Sequence, residues 1–229
     1  MTDLSQRRGL PGLSYPEASL QRLAGELSEQ FTGIFTPETI ERYVLESYAA
    51  LLRTSTVKAH LVTNTTRFAK DRLTALAQAK GDIARPVPEI LFLCEQNAGR
   101  SQMAAVLTQA LAGHQVHVRS AGSAPAKTLH PEAVAAMAEL GLDLRQEFPK
   151  PLTDDVVQAA DVVITMGCGD ACPVYPGKQY QDWNLTDPSG LGVDEVRAIR
   201  DQLHTHITEL LASLGVTPTE LDAAATPVH

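Results

Sequence analysis

Cys94, Arg100 and Ser101 are the residues whose types and spacing could do chemistry most directly. They sit in Cys94-Glu95-Gln96-Asn97-Ala98-Gly99-Arg100-Ser101, which follows the apolar run Ile90-Leu91-Phe92-Leu93 and leads into Gln102-Met103-Ala104-Ala105-Val106-Leu107. The pattern predicts a strand, a tight loop and a helix start. A cysteine opening such a loop sits where backbone N–H groups and a helix N-terminus converge on a bound tetrahedral oxyanion. The same field favours thiolate over thiol. Arg100 supplies a planar fork of donors for two oxyanion oxygens, which a lysine would not reproduce, and Ser101 can donate to the sulfur. Nucleophile and cradle are then one segment: Cys94 attacks, while Glu95, Gln96, Asn97, Ala98, Gly99, Arg100 and Ser101 hold the substrate. The plainer alternative is a buried strand-end cysteine packing as a small hydrophobe.

Downstream residues favour the chemical reading. Asp161-Val162-Val163-Ile164-Thr165-Met166 reads as another buried strand and runs into Gly167-Cys168-Gly169-Asp170-Ala171-Cys172-Pro173, which holds the chain's other two cysteines. Asp182-Trp183-Asn184-Leu185-Thr186-Asp187-Pro188-Ser189-Gly190 places Asp187 on a proline-stiffened loop, within reach of a leaving oxygen. Two cysteines four apart on a regular helix have Cα atoms about 6 Å apart, inside the disulfide range. A structural zinc site is the rival for such a pair, but it needs about four ligands in recognisable clusters. No second cysteine pair exists, and His204 and His206 do not share a helix face. Those two histidines are expected on a solvated edge, and no metal is expected.

Taken together, these residues resemble the low-molecular-weight tyrosine phosphatase superfamily, and within it the arsenate reductases that use a relay of three cysteines. The resemblance spans roughly residues 88 to 215, and its loop motif, Cys-x5-Arg-Ser, is fairly specific when it follows a strand and opens a helix. The phosphatases usually carry a second cysteine just before the loop arginine, where this chain has Gly99, and tyrosines after the Asp-Pro, where it has Ser189-Gly190. Both departures favour the reductase, as does the pair Cys168 and Cys172.

The resemblance implies that Cys94 attacks arsenate held by the loop and Arg100, with Asp187 protonating the departing oxygen. Cys168 then attacks the Cys94 sulfur, arsenite leaves, and Cys172 moves the disulfide to the 168/172 pair, where thioredoxin reduces it. Either order of attack by the two resolving cysteines fits their spacing, and a small thiol such as mycothiol could replace them as the external attacker. By the same resemblance Asn97, Ser101 and Ser120 brace the loop. In some relay reductases Asn97 and Ser120 have counterparts that help hold potassium together with two acidic residues. Here those positions are Ala105 and, nearby, Pro151, so no potassium site is expected and Lys150 becomes a candidate substitute charge.

Bulk properties bound the class. A chain of 229 residues has a length prior of about one and a half domains, and 44% hydrophobic with 20% charged residues is ordinary for a globular protein. A net charge of −8 argues against a nucleic-acid partner. Substrate capture must therefore rest on the local field of the loop. The first residues lack an apolar core long enough for a signal peptide and no run approaches a membrane span, so a cytoplasmic protein with transient catalytic disulfides is expected.

The elements that must position these residues fall on either side of Gly81-Asp82-Ile83-Ala84-Arg85-Pro86-Val87-Pro88. Before it, Leu20, Leu23, Leu27 and Phe31, then Ile40, Val44, Tyr48 and Leu51 after a Thr36-Pro37 cap, then Leu61, Phe68, Ala75 and Leu76 mark three amphipathic helices. A three-helix bundle over 1–85 is expected, known to us as an occasional companion of actinobacterial arsenate reductases and a possible homodimer contact. Over 86–215, apolar runs alternate with helical stretches, which predicts an α/β doubly wound parallel sheet of four strands with the loop at a strand's carboxyl end. A flexible tail over 216–229 completes the division. Three functions stay open: a thiol-relay arsenate reductase, a phosphatase needing only Cys94, Arg100 and Asp187, and an oxyanion-binding redox module without turnover.

Overall fold

The computed structural model describes residues 17–55, 58–167 and 172–221. Its organising element is β1 (Glu89–Cys94), buried at all six positions, as expected of a strand covered on both faces. Around it lie β2 (His117–Gly122), β3 (Val162–Met166) and β4 (Gln179–Asp182), all parallel, in the order β2-β1-β3-β4. Cys94 pairs with Gly122 on one side and Met166 on the other, so it ends the central pair of strands. The four-stranded doubly wound sheet predicted from the alternating pattern is the fold.

Strand pleating divides the β1 side chains between two cores. Ile90, Phe92 and Cys94 pack with residues of α4 (Arg100–Ala112), α5 (Pro131–Ala138) and α7 (Val193–Ser213). Leu91 and Leu93 pack with Ala121, Val163 and the Val156-Val157 pair of α6 (Asp154–Ala159). The six-residue α6 was not expected, because it is too short to show helical periodicity. Its acidic first turn, Asp154 and Asp155, was the available signal.

Residues before the linker form α1 (Glu17–Gln30), α2 (Pro37–Thr54) and α3 (Leu61–Lys80). Thr36 caps α2, its hydroxyl accepting from the Thr39 N–H, with Pro37 in the first turn, and Gly81 ends α3 in the left-handed region at φ 80°. Leu20, Leu23, Leu27, Phe31, Ile40, Val44 and Leu73 build the helical core. The three helices do not stand apart from the sheet. Ala75 of α3 belongs to the Leu91–Leu93 core, so α3 covers one sheet face beside α6.

Buried ion pairs fix that contact. Arg72 of α3 donates from Nε to Asp155 Oδ2 at 3.0 Å and from a terminal nitrogen to Ser47 Oγ at 3.2 Å. Arg119 of β2 donates to Asp71 at 2.8 Å and also reaches Glu89, which accepts from Gln78 at 2.5 Å and lies 2.7 Å from His117 Nδ1. Burial alone would raise the Glu89 carboxyl, but the His117 hydrogen bond and the Arg119 charge hold it below its ordinary value. At Asp155 burial wins, and the carboxyl lies above its ordinary value even with Arg72 beside it. Residues 216–221, the first part of the expected tail, run back along the domain: Val216 is buried, and the Thr219 N–H donates to the Leu111 carbonyl at 2.7 Å. The rest of that tail, 222–229, lies outside the described residues.

Arg72→Ala should destabilise the protein by about 3 kcal/mol in urea unfolding, because it strands a buried carboxylate. A carboxyl whose folded value is raised stabilises the fold with its proton on, so the deficit should be smaller at pH 5 than at pH 8.

Candidate active site

At the end of β1 the chain turns through residues 94–100 into α4, and the turn is shaped mainly by its carbonyls. The N–H groups of Ser123, Ala124, Ala126 and His130 donate to the carbonyls of Cys94, Glu95, Gln96 and Ala98 at 3.3, 2.8, 2.9 and 2.9 Å. A trans peptide holds its C=O and N–H in opposite directions, so each carbonyl drawn outward turns the next N–H inward. The Asn97 N–H shows the result, donating to Cys94 Sγ at 3.2 Å. Glu95 is exposed and Gln96 half-buried, whereas Asn97, Ala98, Gly99, Arg100 and Ser101 are buried. The loop therefore presents main chain, not the Glu95 carboxylate, to its interior.

Side chains lock this shape around the sulfur. Ser101 Oγ lies 3.0 Å from Cys94 Sγ and accepts from Asn97 Nδ2 at 2.8 Å. Asn97 has φ 47°, the one positive value at a non-glycine position among the described residues. Its Oδ1 accepts from the Lys150 N–H at 2.8 Å and from Gln102 Nε2 at 3.0 Å. Gln102 Nε2 also reaches the carbonyls of Asn97 and Phe148, at 3.2 and 2.9 Å.

Arg100 is buried and donates to the Leu185 carbonyl at 3.1 Å and to Asp187 Oδ2 at 2.7 Å, while its Nε has no partner among the described residues. The other Asp187 oxygen accepts from the Ser189 N–H at 2.9 Å. The Asp187 side chain is 40% exposed. A solvent-facing carboxylate thus touches a buried guanidinium that retains an unused donor. Two glycines make these approaches possible. A Cβ on Gly99 would lie 2.6 Å from Pro188 Cγ, and one on Gly122 would lie 2.7 Å from the Glu95 carbonyl oxygen and 2.9 Å from Asn97.

Residues 89–219 match the family described as low molecular weight phosphotyrosine protein phosphatase. The chain belongs to that family. Residues 20–77 match a second description, the N-terminal domain of protein-tyrosine-phosphatase-like proteins. A solved relative, the thioredoxin-dependent arsenate reductase of Corynebacterium glutamicum, is 47% identical with a TM-score of 0.79, covering 87% of this chain and 98% of that one. Arsenate reductase 1 of Staphylococcus epidermidis is 34% identical over 122 residues, 52% of this chain and 91% of its own length. The glutaredoxin arsenate reductase of Synechocystis is 32% identical over 130 residues, 56% of this chain and 98% of its own length.

Within this phosphatase-family domain the predicted residues are placed unequally. Cys94, Asn97, Arg100, Ser101 and Asp187 come together, in two groups joined through the loop. Ser120 lies in β2 opposite Phe92 and lines a cavity of about 460 Å³ together with Lys150, and among the described residues no hydrogen bond joins Ser120 to the loop. Cys172 is partly buried beside Tyr175, Tyr180 and the α6 core, its sulfur 3.6 Å from the Pro173 carbonyl. Cys168 lies outside the described residues. His206, expected on a solvated edge, keeps a 41% exposed side chain and also stacks on Trp183 with ring centroids 5.0 Å apart. Gln102, Gly122 and the segment 123–130 were not singled out from the sequence. A single buried Gln and a strand-ending Gly leave no spacing signal of their own.

Gly122→Ala places a methyl group against loop main chain that has no flexible side chain to yield. We expect at least about a tenfold loss of oxyanion-dependent activity, with a destabilisation of about 2 kcal/mol as the loop shifts, checked by kinetics and urea unfolding on one preparation.

Proposed function

We propose that this chain is an arsenate reductase, with Cys94 as nucleophile, Arg100 and the loop N–H groups as oxyanion donors, and Asp187 as general acid. The observation that carries the reading is the hydrogen-bonded Cys94 beside the Arg100–Asp187 contact, in a chain 47% identical to a thioredoxin-dependent arsenate reductase. The pair Cys168 and Cys172, which a phosphatase does not need, favours reductase over phosphatase.

Cys94 thiolate bonds to arsenic(V), and Asp187, as general acid, passes a proton to the oxygen that leaves as water. The Cys168 thiolate attacks Cys94 Sγ; the sulfur–arsenic bond breaks and its electron pair stays on arsenic, which departs as arsenite. Cys172 then attacks Cys168 Sγ, freeing the Cys94 thiolate and leaving a 168/172 disulfide for a thioredoxin dithiol to reduce. The thioredoxin dependence named for the Corynebacterium relative supports a dithiol as the final reductant, and either order of attack by Cys168 and Cys172 fits their spacing. A thioredoxin-coupled cycle of this kind belongs in the reducing cytoplasm. The sequence break at 85/86 divides a helical unit from the reductase domain in this reading.

Arsenite formation from arsenate with a thioredoxin system, for the unsubstituted chain and for Cys94→Ser, Cys168→Ser and Cys172→Ser, tests the cycle. All three variants should lose turnover by at least about a hundredfold. Turnover that survives loss of Cys168 or Cys172, or that needs only a small thiol, refutes the relay. Phosphate-ester cleavage without any arsenite would put a phosphatase in its place.

A further inference from the structure

Residues 146–150 lie between the helical region and the loop, and each side of the segment is tied to a different one. On the helical side, Arg67 of α3 donates to the Gln146 carbonyl and, at 3.0 Å, to Glu147 Oε1. Its guanidinium lies 5.2 Å from the centre of the Phe148 ring, and that ring packs on the Leu51, Leu61 and Phe68 core of α2 and α3. On the loop side, the Lys150 N–H donates to Asn97 Oδ1 and the Phe148 carbonyl accepts from Gln102 Nε2, the amide that also holds Asn97. Asn97 in turn donates from its main chain to Cys94 Sγ and from its side chain to Ser101.

We infer that Arg67 is a positioning residue for the reaction, through which the N-terminal helices hold Asn97, and hence the loop N–H groups, in the geometry that receives the oxyanion. The proposal rests on the oxyanion-loop reading above. The magnitudes separate it from a purely structural role. Arg67 is 45% exposed, and exposed ion pairs contribute little to global stability. Its bond to a main-chain carbonyl and its stacking on Phe148 instead fix where a five-residue segment sits. Small displacements of a reacting constellation cost far more in rate than such a pair supplies in stability.

The test uses the full chain with Cys168→Ser and Cys172→Ser, so that Cys94 is the one thiol left, and measures alkylation by iodoacetamide against rising inorganic phosphate. In Arg67→Ala the phosphate concentration that halves the alkylation rate should rise about tenfold, with Arg67→Lys intermediate because it keeps the charge and loses the fork. In the three-cysteine chain the same substitution should raise KM for arsenate more than it lowers kcat. Phosphate protection within twofold of the unsubstituted chain, in a variant whose circular dichroism shows it folded, overturns the proposal. So does a loss of protection no larger than the fraction unfolded. If Arg67→Ala does not fold, Arg67→Lys decides by the same criteria. Absence of arsenite formation by the unsubstituted chain would sink the reductase reading, while the alkylation measurement would still decide the role of Arg67.

Discussion

A left-handed asparagine at the third position after the nucleophile is the constraint on which the site depends. Asn97 at φ 47° costs about 1 kcal/mol relative to an ordinary backbone conformation. Its side chain recovers more than that, because three hydrogen bonds converge on it at about 1 kcal/mol net each. With that residue fixed, its N–H faces Cys94 Sγ and Ser101 Oγ sits within 3.0 Å of the same sulfur. The outward carbonyl bonds to residues 123–130 complete the turn. The loop is therefore shaped before any substrate arrives, which is where catalysis by oriented dipoles draws its advantage.

The same residue connects parts of the chain far apart in sequence. Through Lys150 and Phe148 it reaches the core of α2 and α3, and through Gly122 it touches the end of β2. The ion pairs Arg72–Asp155 and Arg119–Asp71 hold α3 on the sheet near α6 and β2. A pair buried on both sides, such as Arg72–Asp155, is a weak source of net stability but costly to break singly, so these contacts fix how α3 is seated more than they deepen the fold. The helical region, in which no residue type announced chemistry, is physically continuous with the loop.

How much of this could be read from the chain depends on range. The strand ending at Cys94, the Cys-x5-Arg-Ser loop, the Thr36-Pro37 cap and the three apolar helix stripes are local patterns, and each appears where its spacing placed it. Asp187 was legible because proline and glycine frame its loop. Contacts such as Arg67 to Gln146 and Gln102 to Phe148 leave no periodic trace. Nor does the burial of Ala75 against Leu91 and Leu93, which makes α3 part of the sheet's cover. Ser120, carried over from a resemblance, stands beside the loop, and among the described residues no hydrogen bond joins it to the loop.

The loop's geometry comes from the Asn97 side chain as a bridge, not from its backbone angle alone. Asn97→Gly separates the two, since glycine adopts the left-handed region without strain but makes none of the bonds to Ser101, Gln102 and Lys150. The direct measurement is phosphate protection of Cys94 from alkylation in that variant, with folding checked by circular dichroism. The expected result is a folded protein whose phosphate affinity has dropped by about tenfold or more. A folded Asn97→Gly protein with unchanged phosphate protection would contradict it.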